Sequence, residues 1–234
     1  MDPSPYRFEH PNGDPPADGG GGRRGLQVCG FPLRIDPFFF VTAWLIGGHR
    51  EPLWMLSWIA VVVLGVLAHE LGHAFAGRRL GLQPWIRLVA FGGMTGWSRP
   101  RPLTAAQQIA ISAAGPAVGI AIGGAVLLAG AAGVFAGAPP TVARVLNDVL
   151  WVNLGWAVLN LLPILPLDGG HITASAAEMA AGRRGRLAAR LFSVVLTVGI
   201  GLWAALSGEW WILALCAIFT YTNVQGLRAE LSSA

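Results

Sequence analysis

The sequence consists mainly of six apolar runs separated by short segments rich in Pro, Gly and Arg. The runs cover residues 37–48, 53–77, 104–133, 141–162, 187–207 and 209–226. A helix that spans a membrane needs roughly twenty apolar residues, and four or five of the runs reach that length. The first run, PFFFVTAWLIGG, is shorter and fits either a re-entrant segment or a span of a thinned bilayer. The pattern predicts an all-α integral membrane protein with about six transmembrane helices.

Two segments between the runs alternate partly between apolar and polar residues. They cover residues 28–36 and 83–99, and the second contains the pair Gly92-Gly93, which favours a hairpin turn. We expect the two segments to form a small β-sheet or hairpin at the cytoplasmic edge of the membrane. Plain loops are the alternative that the pattern leaves open.

Composition and charge support the membrane assignment and orient the chain. Hydrophobic residues make up 54% of the sequence and charged residues 12%, whereas soluble domains carry about 25% charged residues. All sixteen basic residues are Arg, and six spans from a cytoplasmic N-terminus leave only Arg50 and Arg144 outside. Because positive charge accumulates on the cytoplasmic side, we expect a multi-pass protein of the cell membrane with both termini in the cytoplasm. The same effect explains the net charge of +4, so we expect no nucleic-acid partner.

The ends of the chain differ from its middle. Residues 1–25 combine Pro, Gly, Asp and Arg without an apolar core, which predicts a disordered tail rather than a signal peptide. We expect residues 26–228 to form one membrane-embedded domain, followed by a short C-terminal tail at 229–234. Cys29 and Cys216 lie far apart, so they predict neither a disulfide framework nor a cysteine zinc site. The absence of Lys indicates a bacterial genome of high GC content.

Three glycines in the third run are spaced four residues apart. Gly115, Gly119 and Gly123 fit a helix-dimerisation face of the G-x-x-x-G type, and small residues equally allow close packing between helices of one chain. We favour the intramolecular use and leave a homodimer open.

The second run contains an unusual set of polar residues. His69, Glu70 and His73 form the pattern H-E-x-x-H within VLAHELGHAF. On a helix, positions i and i+4 are separated by about 400° of rotation and about 6 Å of rise, so both imidazoles can bind one zinc ion. Glu70 can act as general base on a zinc-bound water and then as acid to the leaving amine. Because ionisable residues at membrane depth are costly and usually functional, we predict one Zn²⁺ per chain at this site.

A catalytic zinc normally has three protein ligands, so the pair of histidines is incomplete. Residues 74–100 contain neither Glu nor His, and the best remaining acid is Asp168 in NLLPILPLDGGH. Pro163 and Pro166 break the helix there, and unwound backbone at membrane depth requires a protein interior or a water-filled cavity around it. The alternative is that Asp168 caps a helix containing His171. We expect His171 to support a ligand or face the interface rather than to bind the metal.

Together these residues resemble the site-2 protease family of intramembrane zinc metalloproteases. The resemblance covers almost everything after residue 26 and rests on GFPLRIDPFFF, AHELGHAFAGRRLGL, FGGMT, AISAAGPAVGI and NLLPILPLDGGH, in that order. It implies His69, His73 and Asp168 as zinc ligands and Glu70 as the catalytic acid and base. It also implies that Asn160 stabilises the oxyanion, although an interhelical hydrogen bond explains Asn160 equally well. We expect the compact form of the family, without a PDZ or CBS domain.

The resulting hypothesis is an intramembrane zinc endopeptidase that cleaves peptide bonds in or near transmembrane segments of other proteins. The resemblance implies a single-span regulator as substrate, such as a membrane-tethered anti-sigma factor, or a remnant signal peptide. Membrane lipid is a further expected partner, and a separate regulatory protein stays open. The alternatives are a non-catalytic scaffold or chaperone, which would be expected to lose Glu70, and a metal transporter. A transporter needs further acids along its helices, and Asp148 and Glu178 are the few candidates.

Overall fold

A computed structural model describes residues 26–48, 50–98 and 101–232. The predicted N-terminal tail lies outside these residues. So do Arg99, at the end of the second alternating segment, and the last two positions of the predicted C-terminal tail.

The described chain is mostly helical and contains four short strands. The helices are α1 (Pro37–Gly47), α2 (Pro52–Arg79), α3 (Ala105–Ala131), α4 (Pro140–Leu150), α5 (Trp156–Asn160), α6 (Asp168–Ser207) and α7 (Trp210–Ser232). The strands are β1 (Gln27–Val28), β2 (Phe31–Ile35), β3 (Pro84–Val89) and β4 (Gly92–Trp97). A π-helical turn, Trp151–Gly155, joins α4 to α5.

Five helical segments of the described residues are long and apolar enough to cross a membrane. They are α2, α3, the continuous segment Pro140–Asn160, α6 and α7. Helix α1 has 11 residues and extends about 16 Å, which is roughly half of the hydrocarbon thickness of a bilayer. The predicted multi-span helical protein with a small sheet is confirmed, and the first predicted run is the one that falls short of a full span.

The chain divides into two compact units, each with its own buried residues. The first unit comprises the described residues up to 103 together with 114–157, and the second comprises 104–113 and 158–232. The boundary falls within α3, whose first residues belong to the second unit.

The first unit contains the sheet, with strand order β1-β2-β3-β4. Strands β2 and β3 are parallel, because α1 and α2 carry the chain from one to the other, and the other two pairs are antiparallel. Apolar side chains of β2 and β3 pack against α1 and α2 in one buried cluster: Phe31, Leu33, Ile86, Leu88, Phe39, Val66 and Ala74. The predicted small sheet is therefore confirmed, because alternating residues of these strands have an apolar surface to cover.

The predicted hairpin turn at Gly92-Gly93 is wrong by two residues. The turn lies at Ala90 and Phe91, and the two glycines are the first residues of β4. Gly92 has φ of +141°, which side chains rarely allow. Gly93 lies against the side chain of Glu70, where a Cβ atom would overlap it. Gly93 therefore serves a close approach between β4 and α2 rather than the turn itself.

The second unit is built mainly from α6 and α7. Helix α6 begins at Asp168, nineteen residues before the predicted run, and it is broken at Ala181 and Gly182, where Gly182 has φ of +57°. An ion pair between Arg186 and Glu178 spans the break. Helix α7 continues past residue 228 to Ser232, and Glu230 in its last turns pairs with Arg190 of α6 at 3.0 Å.

Candidate metal centre

The predicted zinc motif lies on α2, which is one uninterrupted helix. It begins at Pro52, which suits the first helical position, and no further Pro interrupts its 28 residues. His69, Glu70 and His73 lie in its second half and are 5–7% exposed. Because the helical spacing of four residues returns to the same face, both imidazoles point the same way.

The three side chains form a group that can hold a divalent metal. The Nε2 atoms of His69 and His73 are 3.1 Å apart, and one ligand atom from each of the three residues lies within 4.8 Å of the others. Among the described residues, this is the group of three or more such side chains that the structure brings together. Two imidazole nitrogens beside a carboxylate suit zinc, which binds nitrogen and oxygen ligands at about 2.0–2.2 Å.

Helix α3 covers the face of α2 on which the histidines lie. A Cβ atom at Gly115 would stand 2.6 Å from His73 Cε1 and 2.8 Å from His69 Nε2. The glycine therefore leaves the space beside the imidazole nitrogens that a bound ion requires, and the donor set fits the metal that the motif predicts. Nearby, Gly72 is packed so closely on the backbone of Ala114 that it also has no room for a side chain.

The other two glycines of the four-residue series also pack within the chain. Gly119 faces the backbone carbonyl of Asn153, and Gly123 faces the side chain of Leu154. The predicted close packing within the chain is observed at both positions. Asn153 itself is buried, and its Nδ2 donates to the carbonyl of Val149 one turn earlier, which is a structural role.

Strand β4 fixes the orientation of the predicted catalytic acid and base. The hydroxyl of Thr95 donates to Oε2 of Glu70 at 2.7 Å and lies 3.1 Å from the carbonyl oxygen of Glu70. Gly93, two residues earlier on the same face of the strand, allows the carboxylate to lie directly on the backbone. The sheet therefore holds Glu70 beside the two histidines.

Among the strands that the structure describes, β4 forms one of the two edges of the sheet and pairs on one side only, with β3. In an antiparallel pair, alternate residues exchange backbone hydrogen bonds with the partner strand. The bond from Ser98 N–H to the Gln83 carbonyl, together with the register, puts Met94 and Gly96 in the bonded set. The backbone groups of Gly93, Thr95 and Trp97 therefore point to the open edge, beside Glu70.

The remaining predicted residues lie in the second unit. Asn160 is the last residue of α5, and Asp168 is the first residue of α6, with Leu167 at the N-cap position. The intervening residues 161–167 are not helical, as Pro163 and Pro166 predict. His171 lies in the first turn of α6 and is half-buried. The structure thus brings together His69, Glu70 and His73, and the assignment of Asp168 as third ligand stays a prediction.

Polar side chains from α6 and α7 hold the irregular segment before Asp168. The amide of Leu165 donates to Ser193 Oγ at 2.9 Å, and its carbonyl accepts from Asn223 Nδ2 at 2.6 Å. Ser193, Asn223 and Thr95 belong to no motif that marks them in the sequence. Asn223 is noticeable in the sequence as an amide within an apolar helix, and Thr95 as the residue two positions after Gly93. Neither feature predicts which group the side chain contacts.

Comparison with known proteins identifies the family. The pattern of peptidase family M50 matches residues 132–206, which include Asn160 and Asp168. Rip3 of Mycobacterium tuberculosis, which is named as a zinc metalloprotease, is 30% identical over 229 residues and the match covers 80% of this chain. The chain belongs to peptidase family M50. Another M50 relative, a protein of Synechocystis sp. also named as a zinc metalloprotease, is 31% identical over 166 residues, or 64% of this chain.

This chain matches only about half of the length of these M50 relatives. The chain spans 56% of the length of Rip3 and 42% of the Synechocystis protein. The fold is similar to that of the site-2 protease from Methanocaldococcus jannaschii, with a TM-score of 0.60 and 22% sequence identity. That match covers 87% of this chain and 94% of the other, so the M50 chain described here has the site-2 protease fold over most of its length.

Proposed function

We propose that this M50 protein is an intramembrane zinc endopeptidase, which hydrolyses peptide bonds in or near transmembrane segments of other membrane proteins. The observation that carries the proposal is the buried group of His69, Glu70 and His73 on a helix long enough to cross a membrane. Buried ionisable groups inside such a helix are costly and mark functional sites. Metalloprotease chemistry uses all three side chains.

In this proposal, one zinc ion per chain is held by His69, His73 and Asp168. Three protein ligands leave the fourth position open, as catalytic zinc sites require. When bound, zinc lowers the pKa of a water ligand to about 7 and polarises the scissile carbonyl. The position of Asp168, which begins α6 directly after the irregular segment 161–167, supports its assignment as a ligand. We assign His171, one turn later, to the support of a ligand rather than to the metal itself.

Glu70 is proposed as the catalytic acid and base. It takes a proton from the attacking water and delivers it to the leaving amine. Its carboxylate is oriented for this by the Thr95 hydroxyl, so the group is held in place before the substrate arrives. Asn160 is proposed to donate its amide N–H to the substrate carbonyl oxygen as negative charge develops there. The competing role for Asn160, an interhelical hydrogen bond, would leave turnover unchanged when Asn160 is replaced.

The open edge of β4 suggests how the substrate binds. A helical substrate hides its carbonyls in internal hydrogen bonds, so the cleaved segment must first unwind. An extended segment can pair with the backbone groups of Gly93, Thr95 and Trp97, which lie along the edge beside Glu70. Proline scanning of a substrate tests this pairing. Only every second substrate residue would donate its N–H to β4, so Pro should reduce cleavage at alternate positions of the substrate and be tolerated between them.

The proposed orientation places both termini and the sheet on the cytoplasmic side of a bacterial cell membrane. It rests on the distribution of Arg along the sequence. Single-span regulators such as membrane-tethered anti-sigma factors, or remnant signal peptides, are the proposed substrates. Cysteine labelling of single-Cys variants at each loop tests the orientation independently of activity.

Two observations weigh on the alternatives. The further acids that a metal transporter would need are engaged in ion pairs: Asp148 with Arg50 at 3.1 Å, and Glu178 with Arg186. A non-catalytic scaffold has no use for a general base, yet Glu70 is present and fixed by Thr95. Both observations favour the peptidase.

The decisive experiment combines zinc analysis with cleavage of a co-expressed single-span substrate. We expect the unaltered protein to contain zinc and to cleave, and Glu70→Gln to contain zinc without cleaving. Asp168→Ala should bind zinc measurably more weakly, through the two remaining imidazoles, and should lose activity. Full cleavage by Glu70→Gln would overturn the peptidase mechanism. Normal zinc affinity in Asp168→Ala would overturn only the third ligand.

A further inference from the structure

The backbone just before Asp168 is held from two sides by buried side chains outside the metal motif. Leu165 lies in the middle of the irregular segment 161–167. Its amide donates to Ser193 Oγ of α6 at 2.9 Å, and its carbonyl accepts from Asn223 Nδ2 of α7 at 2.6 Å. Both side chains are 1% exposed. Two helices that are adjacent in sequence thus bind opposite polar groups of one residue.

These hydrogen bonds have a physical reason at this place. Within a membrane, a backbone N–H or C=O outside a helix has no water to pair with and must find a partner in the protein. The amide and carbonyl of Leu165 find theirs in side chains rather than in the helical ladder, because the chain is not helical there. The position of the Leu165 backbone, with the peptide group on either side of it, is therefore set by Ser193 and Asn223.

The start of α6 is tied to the same peptide. The amide of Leu167 donates to the Ile164 carbonyl at 2.8 Å, and the Leu167 carbonyl accepts from the His171 amide at 3.1 Å. Gly170 packs on the backbone of Ile164 and Leu165 so closely that a Cβ atom would overlap it. A shift of the Leu165 peptide would consequently move the first turn of α6, which begins with Asp168.

We propose that Ser193 and Asn223 are positioning residues for the metal ligand Asp168. They hold the Leu165 peptide, and through it the first turn of α6, at the place from which Asp168 binds zinc. The proposal rests on the assignment of Asp168 as a zinc ligand under the proposed function. It adds two residues that touch neither the metal nor the substrate and that set zinc affinity through backbone geometry.

The test is zinc affinity, measured by competition with a chromophoric chelator on the full-length, metal-stripped protein in detergent. Asn223→Leu removes the donor to Leu165 at similar side-chain volume, and Ser193→Ala removes the acceptor with a smaller change. We expect each to weaken zinc binding roughly 10-fold to 100-fold, the range found when groups that orient metal ligands are lost.

Thr220→Val is the matched control, because the Thr220 hydroxyl donates to the Thr197 hydroxyl across the same pair of helices without touching Leu165. Its zinc affinity should stay within about 2-fold of the unaltered protein.

A double-mutant cycle with Asp168→Ala separates positioning from general damage. If Ser193 and Asn223 act through Asp168, neither substitution should weaken zinc binding further once Asp168 is gone. An equal loss with and without Asp168 would overturn the proposal, as would unchanged affinity in Ser193→Ala and Asn223→Leu. Unchanged affinity in Asp168→Ala alone would instead refute the ligand assignment on which the proposal rests. Ser193→Ala keeps the test valid if Asn223→Leu fails to fold.

Discussion

The hydroxyl of Thr95 on β4 donates a hydrogen bond of 2.7 Å to Oε2 of Glu70 on α2. The two residues are 25 positions apart, and the bond lies beside His69 and His73. A buried carboxylate with one oriented oxygen presents the other in a defined direction. The sheet of this M50 protein therefore contributes to the proposed acid-base chemistry, although it supplies no metal ligand among the described residues.

Replacing Thr95 tests this contribution. Thr95→Val keeps the shape of the side chain and removes the hydrogen bond, so Glu70 should sample unproductive orientations. A hydrogen bond to a charged group contributes about 1.5–3 kcal/mol, which predicts a kcat lower by roughly 10-fold to 100-fold. KM and zinc content should stay the same, and Thr95→Ser should restore most of the turnover. A loss of zinc in Thr95→Val would instead point to a structural defect.

Gly93 offers an independent test of the same contact. A methyl group at this position would overlap the side chain of Glu70, so Gly93→Ala should displace the carboxylate. Displacement of a catalytic group by about 1 Å costs on the order of 100-fold in rate, and we expect that loss in kcat with zinc retained. Met94→Ala on the opposite face of β4 is the control and should cleave normally. Equal activity of Gly93→Ala and the unaltered protein would refute the role assigned to the contact.

A side chain at Gly115 of α3 should affect zinc binding rather than the position of Glu70. A methyl group there would crowd the imidazoles of His69 and His73. Overpacking by one methyl costs about 1–3 kcal/mol, so the zinc affinity of Gly115→Ala should fall roughly 5-fold to 150-fold. Gly124→Ala on the same helix is the control, because nothing lies within 4 Å of a Cβ atom there. Zinc titration of the two variants side by side decides the question.

The ion pair of Arg50 and Asp148 should stabilise the first unit. The guanidinium donates two hydrogen bonds of 3.1 Å to the two carboxylate oxygens, and the Asp148 side chain is 6% exposed. Asp148→Ala leaves a partly buried guanidinium without its partner, and we expect the free energy of unfolding to fall by about 2 kcal/mol. The double variant Arg50→Leu with Asp148→Leu should recover much of the loss. Unfolding in mixed detergents measures both, and a double variant as unstable as Asp148→Ala would contradict the expectation.

Much of this fold follows from local patterns in the chain. Runs of apolar residues place α2, α3 and the segment Pro140–Asn160 to within two residues, because a membrane span requires one continuous apolar helix. The apolar run at 53–77, for example, corresponds to α2, Pro52–Arg79. Pro163 and Pro166 mark the irregular segment for an equally local reason, since Pro removes a helical hydrogen bond. The apolar run at 187–207 covers only the second half of α6, because residues 168–186 are too polar to register as an apolar run. In the sequence, a helix around His171 follows only from the alternative role of Asp168 as a cap.

The sequence by itself determined the metal motif, because His69, Glu70 and His73 lie within five residues and the helical repeat alone brings them to one site. Only the tertiary structure decided what surrounds them: Gly93 and Thr95 on Glu70, Gly115 on the histidines, and Ser193 and Asn223 on the peptide of Leu165. The last two contacts join positions 28 and 58 residues apart. The physical reason is that hydrogen bonds and close packing depend on which surfaces meet, and sequence periodicity gives the face of a helix but not its neighbour.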